Sequence, residues 1–500
     1  MPERPEPYWR ISSQLGTFPP LEENIEVDVA IVGGGISGIT AAYLLAKKGK
    51  KVALFEADVL ANGTTGHTTA KITAQHDVIY NELIAHFGAE TAKLYYEAND
   101  EALQFIRNLV NEEKMACDFT DENAYIFTTS NRGIKKLEDE FKAYEKLGIP
   151  SQWMETLPLP IPVKAAISMK KQAQFHPIKY LAHLIKGITD HGGKIYEHTV
   201  ALDIHDNDVP VIRMKNGVKV QANHIYVSTH FPFFDSNFYF TKMYAERSYV
   251  VAAKVNDFPE GMYISADSPK RSLRYTMMDG EKLVLLGGEE HKTGQGIDTM
   301  YHYQALEQYG KELFGSFDVR FRWSAQDLTT LDKVPYIGRI SNNHPNIFVA
   351  TGYKKWGMST STVAALLVTD LIVGNRNRYE SLFSPGRFVA DPSIKHFLST
   401  NADVAKHLIS GKLELADRKP EDVKIDEATY VSVDGRKAAA YRDKEGELYL
   451  LDTACTHLGC DVHWNSGDRT WDCPCHGSRF SYTGDVIEGP AKLPLPRLKQ

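Results

Sequence analysis

Residues 27–56 read VDVAIVGGGISGITAAYLLAKKGKKVALFE, and this stretch decides the fold of the first part of the chain. Val27–Val32 is nearly continuous in apolar residues, as expected of a strand buried in a parallel sheet. Apolar residues at helical spacing follow and end at Gly49, after which Lys51–Phe55 has the character of a second strand. The stretch therefore predicts a βαβ unit.

The turn between the first strand and the helix carries a G-x-G-x-x-G pattern formed by Gly33, Gly35 and Gly38. Such glycines let the backbone approach a pyrophosphate, and the helix N-terminus offers N–H donors to it. Glu56, at the end of the second strand, could accept hydrogen bonds from a ribose. The pattern alone is a weak signal, but with a strand before it and a helix after it the pattern predicts a dinucleotide site.

Cysteine is concentrated near the C-terminus, where four of the five cysteines fall in a short segment. These four are Cys455, Cys460, Cys473 and Cys475. With His457 and His476, the segment forms the pattern C-x-H, fifteen residues, C-x-x-H. Two Cys and two His can hold either zinc or an iron–sulfur cluster, so the spacing alone leaves both possibilities open.

The 500 residues are enough for roughly three domains of about 150 residues each. Apolar residues make up 43% of the chain and charged residues 24%, which excludes a disordered chain and a polytopic membrane protein. The net charge of -7 does not suggest a nucleic-acid partner. The longest apolar helical run, residues 363–374, is too short for a membrane span. With no signal-peptide pattern in the sequence, we expect a cytoplasmic protein.

The segments 455–460 (CTHLGC) and 473–478 (CPCHGS) resemble the signature of Rieske [2Fe-2S] proteins. The resemblance implies that Cys455 and Cys473 bind one iron and that His457 and His476 bind the other. Neutral imidazoles in place of two thiolates raise the reduction potential of the cluster. The resemblance also implies a disulfide that joins the two cluster loops. The paired residues are Cys460 and Cys475.

Three further positions of the resemblance concern the surroundings of the cluster. Ser478 matches a hydroxyl that donates a hydrogen bond to the cluster. Phe480 stands where high-potential Rieske proteins carry a tyrosine, so we predict a potential below the respiratory type. Residues 489–491 (GPA) resemble the proline loop that covers the cluster.

The first three quarters of the chain, roughly residues 25–375, resemble the D-amino-acid-oxidase-type FAD oxidoreductases, which include sarcosine oxidase, glycine oxidase and dimethylglycine dehydrogenase. The segments that carry the resemblance are Gly33–Glu56, Gly63–His67, Asp332–Gly338 and Val349–Gly352. The complete chain is similar to bacterial FAD-dependent oxidoreductases with a C-terminal Rieske domain. The implied fold is α/β: a Rossmann-like, glutathione-reductase-like FAD-binding domain, a substrate domain with a mixed or antiparallel sheet, and a small all-β Rieske domain.

The predicted domains alternate along the chain. We expect a discontinuous FAD-binding domain at residues 22–85, 150–230 and 325–375, and a substrate domain at 86–149 and 231–324. Residues 376–412 are predicted to be a linker and 413–500 the Rieske domain.

On this resemblance one FAD contacts the chain at several distant places. The expected contacts are Gly33, Gly35, Gly38, Glu56, Thr65, His67, Val200, Gly352, Gly357 and Met358. His67 lies where dimethylglycine dehydrogenase bonds its flavin covalently. A covalent bond, a noncovalent contact and a plain loop histidine all remain open for His67.

Residues that bind the substrate are the least defined by the sequence. The family's carboxylate-binding lysine aligns with Ser359, so the catalytic residues are unknown and Lys292 and Lys355 are weak candidates. Arg271 and Arg274 could bind an anionic substrate or be ordinary surface charges.

The resemblance implies a dehydrogenase that oxidises an amine or amino-acid-like substrate at a CH–NH bond. Electrons would pass from flavin to the cluster and then to an unidentified one-electron acceptor. An electron-transfer reductase that uses NAD(P)H is an alternative, although no second G-x-G-x-x-G motif is found between a strand and a helix. A redox sensor is the other alternative.

Overall fold

The computed structural model describes residues 1–2, 5–206, 208–387, 390–413 and 416–498. Parts of the predicted domains therefore lie outside the described residues: 207, 388, 389, 414, 415, 499 and 500. The helices are α1 (Tyr8–Ser12), α2 (Ile36–Lys47), α3 (Tyr80–Glu112), α4 (Asn131–Leu147), α5 (Pro177–Asp190), α6 (Tyr239–Lys242), α7 (Met300–Phe314), α8 (Gly357–Ile372), α9 (Glu380–Phe383) and α10 (Ala390–Leu413).

The strands of the first half are β1 (Ile25–Val32), β2 (Val52–Phe55), β3 (Lys71–Ile72), β4 (Thr120–Thr128), β5 (Gln152–Met154), β6 (Ala165–Gln174), β7 (Lys194–Tyr196), β8 (Ala201–His205), β9 (Val211–Met214), β10 (Lys219–Val227) and β11 (Met243–Lys254). Those of the second half are β12 (Met262–Ser265), β13 (Arg271–Met278), β14 (Glu281–Lys292), β15 (Asp318–Thr330), β16 (Tyr336–Ser341), β17 (His344–Thr351), β18 (Glu427–Val433), β19 (Arg436–Arg442), β20 (Leu448–Asp452), β21 (His463–Asn465), β22 (Thr470–Asp472), β23 (Arg479–Ser481) and β24 (Val486–Glu488).

The predicted βαβ unit forms the centre of an eight-stranded sheet in the order β16-β17-β10-β1-β2-β7, extended by β9 and β8. Strands β17, β10, β1, β2 and β7 run parallel. Helix α2 packs against α5 and α8. The carboxyl ends of three strands meet at the glycine turn, because the Gly33 N–H donates to Phe55 O at 2.8 Å and the Ser228 N–H donates to Val32 O at 2.8 Å. This edge is where a parallel sheet binds its ligand.

The second sheet has nine strands in the order β15-β11-β14-β13-β12-β4-β6-β3, with β5 paired to β6. All its neighbours are antiparallel except β12 and β4, which confirms the predicted mixed sheet of the substrate domain. Strands β3, β5 and β6 join this sheet although their residues fall in segments predicted for the FAD-binding domain. Strand β15 also continues past the predicted boundary at residue 324. The chain crosses between the two sheets repeatedly, and local patterns do not reveal which sheet a strand joins.

The C-terminal part contains two antiparallel sheets, β18-β19-β20 and β21-β22-β23-β24, so the all-β prediction is confirmed. The predicted linker, residues 376–412, contains α9 and most of the 24-residue helix α10. In the described part of the chain, no helix combines the length and the apolar character needed to cross a membrane.

Candidate redox site

A cavity of about 1240 Å³ lies at the glycine turn and extends along the nine-stranded sheet. Eight of the ten predicted FAD contacts line it: Gly33, Gly35, Glu56, Thr65, His67, Val200, Gly357 and Met358. The other two, Gly38 and Gly352, are not in its lining. A Cβ on Gly38 would lie 2.0 Å from Gly33 O, so Gly38 allows close packing of helix on strand. A Cβ on Gly352 would lie 2.5 Å from the Thr330 side chain.

The cavity wall fits the pyrophosphate of a dinucleotide. Gly33 has a φ of +113°, and a Cβ there would lie 2.6 Å from Ser228 O, so only glycine fits this turn. The Glu56 carboxylate accepts the Gly34 N–H at 2.7 Å and the Asp58 N–H at 3.0 Å. Burial raises the pKa of Glu56, while these backbone hydrogen bonds oppose the shift. The carboxylate is thus fixed at the glycine turn, where a ribose hydroxyl would add another donor.

Three more of the predicted FAD contacts, Val200, Thr65 and His67, lie in the cavity wall. The Val200 carbonyl oxygen accepts the Lys215 N–H at 2.8 Å, which fixes the backbone of Val200 in the cavity wall. The Thr65 hydroxyl accepts the Ile36 N–H at 3.1 Å and so ties the loop to the start of α2. His67 lines the cavity with its Nδ1 2.9 Å from Gly63 O. Burial lowers the pKa of His67, which favours a neutral ring with Nδ1–H as donor and Nε2 as acceptor.

The opposite end of the cavity is crowded with charges, most of which are paired. Lys270 contacts Asp77 at 2.5 Å, and Lys355 contacts Glu290 at 2.5 Å. Lys333 contacts Glu82 at 2.7 Å. Lys355, a weak catalytic candidate from the sequence, therefore lines the cavity as half of an ion pair.

Like Lys354, which also lines the cavity, Lys71 is different, since no carboxylate among the described residues lies within ion-pair distance of its ammonium. Its Nζ contacts only hydroxyls, those of Ser272 and, at 3.2 Å, Thr69. Burial, with a smaller contribution from the Arg274 charge, lowers the pKa of Lys71 to about 7. The sequence analysis missed Lys71. The only available signal was its place at the start of a short strand just after the GTTGHTT segment.

The other cationic candidates lie elsewhere. Lys292, the other catalytic candidate from the sequence, is not in the cavity lining and contacts Asp403 of α10 at 2.7 Å. Arg271 lines the cavity but is bound to Glu289 at 2.6 Å. Arg274 is 1% exposed and donates to Ala70 O at 2.8 Å, so neither arginine is a surface charge.

The four predicted iron ligands come together in the C-terminal domain. Cys455 and Cys473 are buried in the same core cluster, and the rings of His457 and His476 have centroids 5.0 Å apart. The buried Nδ1 of His457 has no hydrogen-bond partner in the described structure, as expected of a nitrogen that binds a metal. This donor set fits a Rieske cluster with Cys455 and Cys473 on one iron and the two histidines on the other.

The surroundings of this site agree with the same fit. Cys460 and Cys475 form a disulfide, so their sulfurs are not available to a metal. The Ser478 hydroxyl contacts the Cys455 thiol and accepts the Ala491 N–H at 3.0 Å. Phe480 is fully buried beside them.

The two sites are neighbours. Residues 485–492 of the C-terminal domain line the same cavity as Gly33 and Glu56. Phe240 of α6 makes edge contacts with the rings of His457 and His476, at 5.3 and 5.4 Å. The histidine side of the cluster site therefore faces the larger part of the molecule.

Comparison with known proteins agrees with this geometry. The family model for FAD dependent oxidoreductases matches residues 28–371, and the model for the Rieske [2Fe-2S] domain matches residues 414–499. The chain belongs to the FAD dependent oxidoreductase family, carries a C-terminal Rieske domain, and uses FAD and a [2Fe-2S] cluster as cofactors. The predicted family, fold and cofactors are thereby confirmed.

Among similar proteins is "Putative Rieske 2Fe-2S iron-sulfur protein YhfW" of Bacillus subtilis (strain 168), 50% identical over 99% of this chain and 98% of that protein. Gamma-glutamylputrescine oxidoreductase of Escherichia coli (strain K12) is 21% identical over 76% of this chain and 92% of that protein. The crystal structure of glycine oxidase from Geobacillus kaustophilus is similar with a TM-score of 0.62 and 20% identity, covering 73% of this chain and 100% of that one. That likeness shows the shared fold.

Proposed function

We propose that the protein is a FAD-dependent dehydrogenase that oxidises an amine or amino-acid-like substrate and delivers the electrons, through its Rieske cluster, to an external one-electron acceptor. The observation that carries this proposal is the shared cavity, whose wall contains both the glycine turn and residues 485–492 of the Rieske domain. When bound, FAD takes two electrons from the substrate and the cluster relays electrons singly. Conversion of a C–N single bond to C=N releases two electrons and two protons, so one turnover reduces two acceptor molecules.

The chain's own residues support an anionic, amino-acid-like substrate. Lys71 lines the cavity without a carboxylate partner, whereas Lys270, Lys333 and Lys355 are neutralised by acids. A half-buried cation gains most from a ligand that brings its own negative charge. We therefore assign the substrate carboxylate to Lys71, assisted by the hydroxyl of Ser272. The names of similar proteins, glycine oxidase and gamma-glutamylputrescine oxidoreductase, are consistent with amine substrates.

An anaerobic screen of amines and amino acids tests the function. Flavin bleaching is followed by absorbance and cluster reduction by EPR in the same samples. We expect a compound that carries both an amine and a carboxylate to reduce both centres. Bleaching by NADH, with no response to any amine, would instead show a reductase and contradict the proposal.

We propose that FAD is held noncovalently beside His67, whose ring is attached to its own loop by the contact of Nδ1 with Gly63 O. Acid precipitation of the holoprotein should release yellow FAD into the supernatant. Colour that stays with the precipitated polypeptide would show a covalent bond.

A further inference from the structure

Two adjacent strands, β11 and β15, separate the flavin cavity from the cluster site. Tyr244 and Glu246 of β11 line the cavity, and the residue between them, Ala245, faces the other way. A Cβ built on Gly477 would lie 2.3 Å from the Ala245 Cβ, so the backbone next to His476 touches this strand directly. At β11 and β15 the sheet is therefore a single-layer partition between the cavity and the loop of His476, while residues 485–492 of the Rieske domain reach the cavity directly.

Gln326 lies at the centre of this partition. Its chain neighbours on β15, Ala325 and Asp327, line the flavin cavity, whereas the Gln326 side chain points to the Rieske domain. The side-chain Nε2 donates to Gly477 O at 2.9 Å. The side-chain Oε1 accepts the hydroxyl of Thr293 at 2.7 Å, which fixes the orientation of the amide. Gln326 is 1% exposed, so water does not compete for these bonds.

The main-chain carbonyl of Gln326 accepts a hydrogen bond from the cavity side of the sheet. The Thr64 hydroxyl, in the FAD-binding loop and in the cavity wall, donates to Gln326 O at 3.1 Å. One residue thus links the flavin loop, through Thr64, to Gly477, the immediate neighbour of the predicted iron ligand His476. The other polar contacts between β15 and the Rieske domain, such as that of Ser324 with Asp468, lead to the ion pairs around Asp468 and not to a cluster loop.

We propose, on the basis of the proposed function, that Gln326 is a positioning residue that sets the electronic contact between the flavin site and the cluster. Its amide and main chain supply a continuous covalent and hydrogen-bonded route from Thr64 to Gly477. Each passage moves one electron: the reduced flavin loses it and the cluster gains it, and no bond at Gln326 forms or breaks. The external acceptor must remove that electron before the second one can follow.

The test uses the full-length holoprotein and the variant Gln326→Met, which keeps the volume but removes the amide. A laser flash with EDTA as electron donor and 5-deazariboflavin as photosensitiser injects one electron, and flavin reoxidation is followed together with cluster reduction. We expect Gln326→Met to slow this transfer several-fold. Its cluster potential, its EPR spectrum and its direct reduction by dithionite should match those of the wild type.

Two further variants make the result decisive. Ser324→Ala changes a buried contact on the same strand and the same face, and it should leave the transfer rate unchanged. Thr293→Val keeps Gln326 but removes the hydroxyl that fixes its amide, so it should slow electron transfer less than Gln326→Met does. The same variant tests the inference if Gln326→Met assembles no cluster. Equal rates in Gln326→Met and wild type, or equal slowing in Ser324→Ala, would overturn the inference. A wild type that transfers no electron from flavin to cluster would overturn the proposed function as well.

Discussion

Two groups of buried charges, one at the Rieske interface and one in the flavin cavity, differ in how completely they are paired. At the interface, the Asp468 carboxylate forms ion pairs with Arg247 at 2.8 Å and Arg479 at 3.1 Å. It also accepts hydrogen bonds from the hydroxyls of Ser324 and Tyr303. Burial raises the pKa of Asp468, but the attraction of the two arginines outweighs it and holds the pKa well below its usual range.

In the cavity, by contrast, Lys71 has hydroxyl neighbours only, and burial lowers its pKa. A charge removed from water is costly unless it is paired, so an unpaired cation in a cavity wall is a candidate for binding an anionic ligand. The comparison sets charges that are paired at the domain interface against the cavity lysine to which the proposed function assigns the substrate carboxylate. Each prediction below changes one side of it.

The largest effect is expected at the interface. Asp468→Asn leaves Arg247 without an ion-pair partner among the described residues, whereas Arg479 keeps Asp472 at 3.1 Å and Glu488 at 3.4 Å. Removal of one partner from a buried ion pair costs about 3–5 kcal/mol. The melting temperature of the holoprotein should fall sharply. Asp139→Asn, which breaks the exposed Lys135–Asp139 pair, should leave it unchanged. A melting temperature equal to wild type in Asp468→Asn would show that these charges do not hold the interface.

Lys71→Met should have the opposite profile, with little loss of stability and a large loss of binding. A hydrogen bond to a charged group contributes about 1.5–3 kcal/mol, so affinity for a carboxylate should fall about 10- to 100-fold. Acetate titration, followed by the flavin spectrum, measures this affinity without knowledge of the substrate. Lys355→Met is the matched control, because Lys355 already has Glu290 as its partner and should matter less. Unaltered acetate binding in Lys71→Met would reject Lys71 as the anion site.

The pH dependence of the same binding follows from the lowered pKa. Lys71 binds an anion only when protonated, and its pKa is about 7, below the ordinary value because of burial and the Arg274 charge. Affinity for acetate should therefore be highest below pH 7. Above that it should fall about tenfold per pH unit until the higher pKa of the complex is reached. Lys71→Arg stays protonated and should give a flat profile over this range; a flat profile in the wild type would contradict the assignment.

The sequence could predict those parts of the site that depend on local pattern. The glycine turn and the two Cys–His boxes each place several chemical groups within a few residues, so Gly33, Glu56 and the four predicted iron ligands could be named as candidates from the sequence. Lys71 could not be named, because the sequence does not show which lysines have a carboxylate partner in the folded protein. Gln326 could be identified only from the structure, because its partner Gly477 lies 151 positions further along the chain.

The smallest effect is expected inside the Rieske domain, where a neutral group acts on the cluster. The Ser478 Oγ accepts the Ala491 N–H, which leaves its own proton available to the neighbouring Cys455 sulfur. A hydrogen bond to a ligand sulfur favours the reduced, more negative cluster, so Ser478→Ala should lower the midpoint potential. A redox titration followed by EPR measures this shift, with Ser481→Ala as control because Ser481 contacts Thr483 instead. A potential unchanged in Ser478→Ala would show that neutral neighbours do not set the driving force, and the interface charges around Asp468 would then be the next groups to vary.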